Sequence, residues 1–365
     1  VSDKKRNIEA FYSGIVSQDV PVRILTHLTV AGRLPGTFLF SGPGGVGKLA
    51  TAIAFAKSLH CSKGGKPDCD CPECSAIRSG THPDVIVSSK DRHFGVDEMR
   101  ELVALAGLRS GSGHERVIIL DRAELITQAA SNAALKALEE PGDHVRFILI
   151  TDTPASLLST IRSRAYALKF SLVGDDELAR FAEMTGDDPE SAETRNAIRI
   201  AGGRPGRYFR LKHMKEYVEV TSEIEGWLSE SFGRNGTASV EIALKWKDAF
   251  WQFADRLSSA ERDAAVPRGY NAYEIGDFIK NPDIYGTGPI NWQVEERKKK
   301  TGRYWTQGRQ ALLLAGTMSQ LLASQSVERN ARPISRIHDF IEKVKFNCSF
   351  DISVERLYFH LAKAL

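Results

Sequence analysis

Four short apolar runs constrain this chain more than anything else in it: TFLFS at 37–41, DVIVSS at 84–89, RVIILD at 116–121 and RFILIT at 146–151. Each is rich in β-branched or aromatic residues and lacks strict in–out alternation, which is the pattern of strands buried on both faces. Turn signals and helical patterns separate them. Strands that need cover on both sides, each followed by a helix, predict an α/β domain with a parallel sheet between helical layers over residues 1–171. One of these helices is bounded in detail: Thr127 precedes QAASNAALKALEE, Pro141-Gly142 stops it, and Ala130, Ala134, Leu135 and Leu138 share one face.

Beyond Phe170 the strand signal nearly vanishes. Residues 175–217 predict short helices separated by GDDPE and GGRPGR, and the patterns from about 220 onward are helical. The stretch 265–292 is dense in turn chemistry and is expected to be a loop or insertion. A chain of 365 residues fits two or three domains. With 42% hydrophobic and 26% charged residues it is an ordinary globular composition, which excludes a mostly disordered chain. A net charge of +3 is too small to diagnose nucleic-acid binding. The first residues carry no apolar signal core and no membrane-length apolar run follows, so a cytoplasmic location is expected.

The first strand leads into SGPGGVGKLATAIAFAKSL, 41–59. This is a glycine loop opening a helix, an arrangement whose backbone N–H groups point at phosphate oxygens. Gly42, Gly44, Gly45, Gly47 and Lys48 are the expected cradle, with Lys48 reaching for the β- and γ-phosphates. The residue after the lysine should supply a hydroxyl to Mg²⁺, but it is Leu49, which has no oxygen. Thr51 is two residues further, about 200° around a helix, and is a poor substitute.

RVIILDRAE is similarly incomplete. Asp121 ends an apolar strand where a metal-supporting acid belongs. The residue after it should be an acid that polarises an attacking water, and a cation such as Arg122 cannot act as that base. Glu124 is expected to start the next turn and face elsewhere. Two damaged elements predict inefficient ATP hydrolysis. Whether the loop still holds nucleotide is left open at this point.

CSKGGKPDCDCPEC places Cys61, Cys69, Cys71 and Cys74 close together. Four thiolates satisfy tetrahedral Zn²⁺, and with every position filled by protein such a site is structural. The C-x-C spacing is unusual, which leaves His60 as a reserve ligand. Cys348 is isolated and is expected to pack in a core.

GRLPGTFLFSGPGGVGK, the cysteine module after the first helix, HPDV at 82–85, ASNAALKALEEP at 130–141, LITDTPASLLSTIRSRA at 149–165 and NCSFDISVERLYFHL at 347–361 together resemble one family. It is the AAA+ clamp-loader subunits of bacterial DNA polymerase III, the delta-prime branch in particular. The resemblance is dense over 25–170, thinner over 171–219 and 330–365, and slight over 220–330.

The resemblance implies a nucleotide-binding-like AAA+ domain at 1–171 with a zinc module at 61–74, a helical lid at 172–219 and an all-α collar for oligomerisation at 220–365. It implies a hetero-pentamer with gamma/tau and delta subunits that opens a sliding clamp and sets it on primed DNA. Delta-prime is the branch that usually lacks ATPase activity and acts as a stator. No independent ATPase activity is therefore expected, within a DNA-directed DNA polymerase holoenzyme.

Matched residue by residue, Arg164 stands at the arginine finger that serves a neighbour's ATP, and Ala165 replaces the family's cysteine. Thr151 stands at the sensor-1 position. Gly42, Gly44, Gly45, Gly47, Lys48, Leu49, Asp121 and Thr151 make up a degenerate nucleotide site. Gly206 occupies the place of the sensor-2 arginine, with Arg204 and Arg207 as neighbours rather than equivalents. The cysteine spacing is one residue short between the second and third ligands. The alternative within the family is an ATP-hydrolysing gamma/tau-like motor; outside it, an unrelated zinc-containing nucleic-acid binder. The basic run RKKKTGR at 297–303, beside Tyr304 and Trp305, is suited to DNA phosphates or to a solvated helix face.

Overall fold

Five strands, all parallel, build the sheet of the computed structural model: β1 Thr37–Ser41, β2 Val85–Ser89, β3 Arg116–Asp121, β4 Val145–Thr151 and β5 Tyr166–Lys169. Their spatial order is β2-β3-β4-β1-β5. The structure describes residues 8–66, 69–89, 94–108 and 115–214, together with 217–219, Ser222, Glu223, Gln252 and Arg256. Four strands match the apolar runs to within a residue. The fifth was not anticipated: β5 is an edge strand with only Leu168 buried, too short and too exposed to leave a hydrophobic signature.

Helices precede and connect the strands: α1 Asp19–Ala31, α2 Lys48–His60, α3 Pro72–Ser79, α4 Val96–Gly107, α5 Gln128–Glu139 and α6 Ser159–Arg164. Because strand side chains alternate, the interior strands β1, β3 and β4 feed two cores. Leu39, Ile118, Leu120, Phe147 and Leu149 pack with Met99, Leu102, Ala130, Ala134, Leu138 and Ile161 of α4, α5 and α6. On the opposite face Phe38 meets Phe55 of α2 edge to face, ring centroids 5.5 Å apart. Phe38 is fully buried, so truncating it to alanine would cost about 3–5 kcal/mol. α5 begins where its cap predicts, the Thr127 hydroxyl accepting from Ala130 N–H at 3.2 Å.

Asp84 and Arg116 form a buried ion pair at 2.7 Å that ties the entries of β2 and β3 together. The same guanidinium donates to the carbonyls of Leu105 and Leu108 at the end of α4. Burial of this pair is tolerable because its donors have acceptors on both sides.

Among the described residues the chain divides after Pro189 into two compact units. α7, Asp175–Met184, falls in the first unit. In the second, α8 Ala192–Ala201 and α9 Pro205–His213 pack together, with Lys212 bridging to Glu193 at 2.9 Å. Ser191 caps α8 by accepting from Thr194 N–H, and Pro205 opens α9 at a position where a missing N–H costs nothing. The expected collar, the 265–305 region, Cys348 and the basic run lie outside the described residues, apart from the isolated positions named above.

Candidate functional site

The glycine loop joins β1 to α2, and its geometry depends on glycine at both ends. Gly42 has φ +143°, and a Cβ there would collide with the Phe170 carbonyl. Gly47, at φ +100°, turns the chain into α2. Both conformations disfavour any residue with a Cβ.

Lys48 opens α2 and folds back over the loop, with only 5% of its side chain exposed. Its Nζ donates to Gly42 O at 2.6 Å, Pro43 O at 2.7 Å and Asp152 Oδ1 at 2.7 Å. Thr51 is buried, and its hydroxyl donates to Gly47 O at 2.9 Å, so it does not substitute for the oxygen missing at Leu49.

Asp121 ends β3, as expected from RVIILD. Arg122 takes a left-handed backbone at φ 61°, uncommon for a residue with a side chain. This turn reverses the chain into the short 3₁₀ segment Ala123–Leu125. It also overturns one expectation. Glu124 does not face elsewhere: its carboxyl lies beside Thr151 and Asp152, pushed above the usual carboxylate range by burial and then by the Asp152 charge. Its Oε2 is buried without a hydrogen-bond partner. Thr151, at the end of β4, is buried, and its hydroxyl accepts from Thr153 N–H at 3.1 Å. The neighbour that reaches the lysine is Asp152, which sequence reasoning missed. No motif marks it; only the register that sets Ser41 beside Thr151 brings the two segments together.

Arg164 ends α6, half-exposed, and pairs with Glu139 Oε1 at the end of α5 at 3.1 Å. Gly206 lies in the first turn of α9, in the second unit. Arg207 beside it is buried. Desolvation, then the charges of Arg204 and Arg210, push its guanidinium down to about 9.

Cys61, Cys69, Cys71 and Cys74 bring their sulfurs within 4.8 Å of one another. The Cys61 sulfur lies 3.6 Å from that of Cys69 and 3.8 Å from that of Cys71. Four sulfurs each about 2.3 Å from one tetrahedral ion would stand about 3.8 Å apart, so the group fits a metal of zinc's size. Cys71 caps α3 and accepts from Cys74 N–H at 3.4 Å. Burial opposes its ionisation, yet the N–H groups of Cys74 and Ser62 bring its thiol down to about 6. Burial raises Cys69 and Cys74. His60 is not part of the group; its ring packs edgewise on His82, centroids 4.5 Å apart. His82 accepts Asp84 N–H on Nδ1 and bonds Glu73 through Nε2 at 2.8 Å, tying the cysteine turn to the entry of β2.

The parallel sheet, the glycine loop on its first strand and the strand-end acid define a P-loop-type α/β domain. A family model described as DNA polymerase III, delta subunit, matches residues 17–173. The chain is 36% identical over 154 residues to DNA polymerase III subunit delta' of Bacillus subtilis, covering 41% of this chain and 46% of that one. It is 33% identical over 195 residues to the delta' subunit of Pseudomonas aeruginosa, covering 52% and 59%. It is also 35% identical over 204 residues to subunit gamma/tau of Mycobacterium tuberculosis, covering 54% and 35%. Through residues 17–173 the chain is similar to these delta' and gamma/tau subunits of DNA polymerase III.

The matched region spans about a third to three-fifths of the length of these relatives. Among solved structures, a gamma subunit-related protein of Thermotoga maritima aligns over 93% of this chain and 99% of its own at 15% identity and a TM-score of 0.45. Among the described residues no helix is long and apolar enough to cross a membrane.

Proposed function

We propose that this chain is a delta-prime-like clamp-loader subunit: a stator that does not hydrolyse ATP itself and lends Arg164 to a neighbouring subunit's ATP. The observation that carries this reading is a contrast within one domain. The loop's chemistry is incomplete, with no oxygen at Leu49 and a cation at Arg122 where a base belongs, while a half-exposed arginine stands at the end of α6. A guanidinium aimed at a transferring phosphoryl group stabilises the charge that develops there, by about 10³-fold or more in P-loop enzymes. The partners on this reading are gamma/tau and delta subunits in a hetero-pentamer, with a sliding clamp and primed DNA as the complex's substrates.

The cysteine group holds one structural zinc, and the resident charge of that ion keeps its thiolates ionised. The domain plan is 1–171, 172–219 and 220–365, with the collar supplying oligomerisation. A gamma/tau-like motor is the second reading, supported by the 35% identity to a gamma/tau subunit.

Reconstitution with gamma/tau and delta subunits separates the two. The isolated chain should show no DNA-stimulated ATP turnover, and adding it should raise the activity of the complex. Robust turnover by the chain alone would sink the stator reading. Arg164→Ala should assemble and lose the gain; an unchanged rate would remove the finger assignment.

A further inference from the structure

We propose that Asp152 is a built-in ligand of the glycine loop: its carboxylate occupies the anion position at Lys48 and closes the cradle to nucleoside triphosphates. An ammonium has three N–H donors. Those of Lys48 are met by Gly42 O, Pro43 O and Asp152 Oδ1, all within 2.7 Å. The lysine is 5% exposed and Asp152 52% exposed, so a phosphate could reach the ammonium only by displacing the carboxylate into water.

The carboxylate is seated on the loop itself, not merely on the lysine tip. A Cβ at Gly44 would lie 2.7 Å from Asp152 Oδ2, so that oxygen rests against the loop backbone at Gly44. Asp152 is held there by the sheet. β4 and β1 run in register up to Thr151 and Ser41, and the next residue on each chain is Asp152 and Gly42.

Glu124 is buried with its Oε2 lacking a hydrogen-bond partner, and burial, then the Asp152 charge, holds it towards neutrality. An incoming triphosphate would have to displace the Asp152 carboxylate from its lysine and then sit next to it. Like charges brought into contact oppose binding, and Leu49 offers no metal ligand to offset them. Lost hydrolysis and excluded binding are separate properties. This inference concerns the second and does not depend on which subunits the chain joins.

The test is titration of the full chain, alone, with a fluorescent ATP analogue and by calorimetry with ATP, with and without Mg²⁺. Asp152→Asn keeps the shape and an acceptor for Lys48 while removing the charge. It should bind ATP about tenfold or more tighter than the parent chain, and Asp152→Ala should do likewise. Lys48→Ala added to Asp152→Asn should abolish the gain. If both Asp152 variants stay folded by circular dichroism and bind no better than the parent, the inference is overturned. Parent affinity already equal to theirs overturns it too. Because the readout is binding by the isolated chain, failure here would leave the stator reading standing, and failure to assemble a complex would leave this inference standing.

Discussion

Two cation–carboxylate pairs in the first unit differ in what their surroundings allow. Lys48 is buried, with three acceptors around its ammonium: two loop carbonyls and the carboxylate of Asp152, itself 52% exposed. Arg164 is 52% exposed and rests against Glu139, itself 29% exposed. A partly exposed pair contributes about 0–1 kcal/mol and exchanges partners readily, whereas a buried ammonium stripped of its acceptor is left with an unmet charge. The domain therefore keeps its own cation engaged and holds the outward one loosely. That is the arrangement expected of a subunit that serves another subunit's nucleotide.

The strongest way to break this comparison is at the loosely held cation. Arg164→Lys keeps the charge but loses the planar fork, and it should lower turnover at the neighbour's site by about 10²-fold or more, read by single-turnover ATP hydrolysis in the reconstituted complex. Near-normal turnover would mean that the guanidinium geometry is irrelevant. The cysteine group lies outside both pairs and serves as a control. Cys71→Ser, or chelation, should remove about one zinc per chain by elemental analysis and lower the melting temperature by about 10 °C. A chain that never contained metal and melts unchanged would refute the zinc assignment.

Glu124 sharpens the comparison on the acid side. Its folded-state carboxyl is raised above the unfolded value, so the protonated form is favoured in the fold. Its contribution to stability is fully present below the ordinary glutamate range and is lost as pH rises towards the folded value. Glu124→Gln should then be more stable than the parent at pH 7 to 8, with the advantage shrinking to nothing near pH 4. Melting curves across that range would show the convergence; a constant difference would exclude a titration origin. The smallest effects come last. Glu139→Gln should change unfolding free energy by less than about 1 kcal/mol. Leu49→Thr alone should change ATP affinity by less than about threefold, because the hydroxyl arrives while Lys48 is still engaged.

Much of this was legible in the residues, and for identifiable reasons. β1 and β3 are continuous apolar runs because they are interior strands, and interior strands leave that mark. The four sulfurs were countable before they were seen to converge. β5 escaped because an edge strand with one buried side chain has no pattern to read. Asp152 and Glu124 escaped for a different reason. Their meeting depends on strand register and on the left-handed turn at Arg122, both of which are tertiary facts that no local spacing encodes. Apart from β5, the gap in the sequence reading concerned who faces whom at the mouth of the loop.

The left-handed turn at Arg122 bears on whether such a domain could travel backwards. Restoring a base at that position by one substitution would place a glutamate on a backbone that few residues with a side chain adopt. A hydroxyl restored at 49 would meet a lysine with its donors already engaged. Either change alone would leave the other position, and the Lys48–Asp152 contact, as they stand. A first step that loosens that contact, at Asp152, would be the one whose effect on nucleotide does not wait for the others.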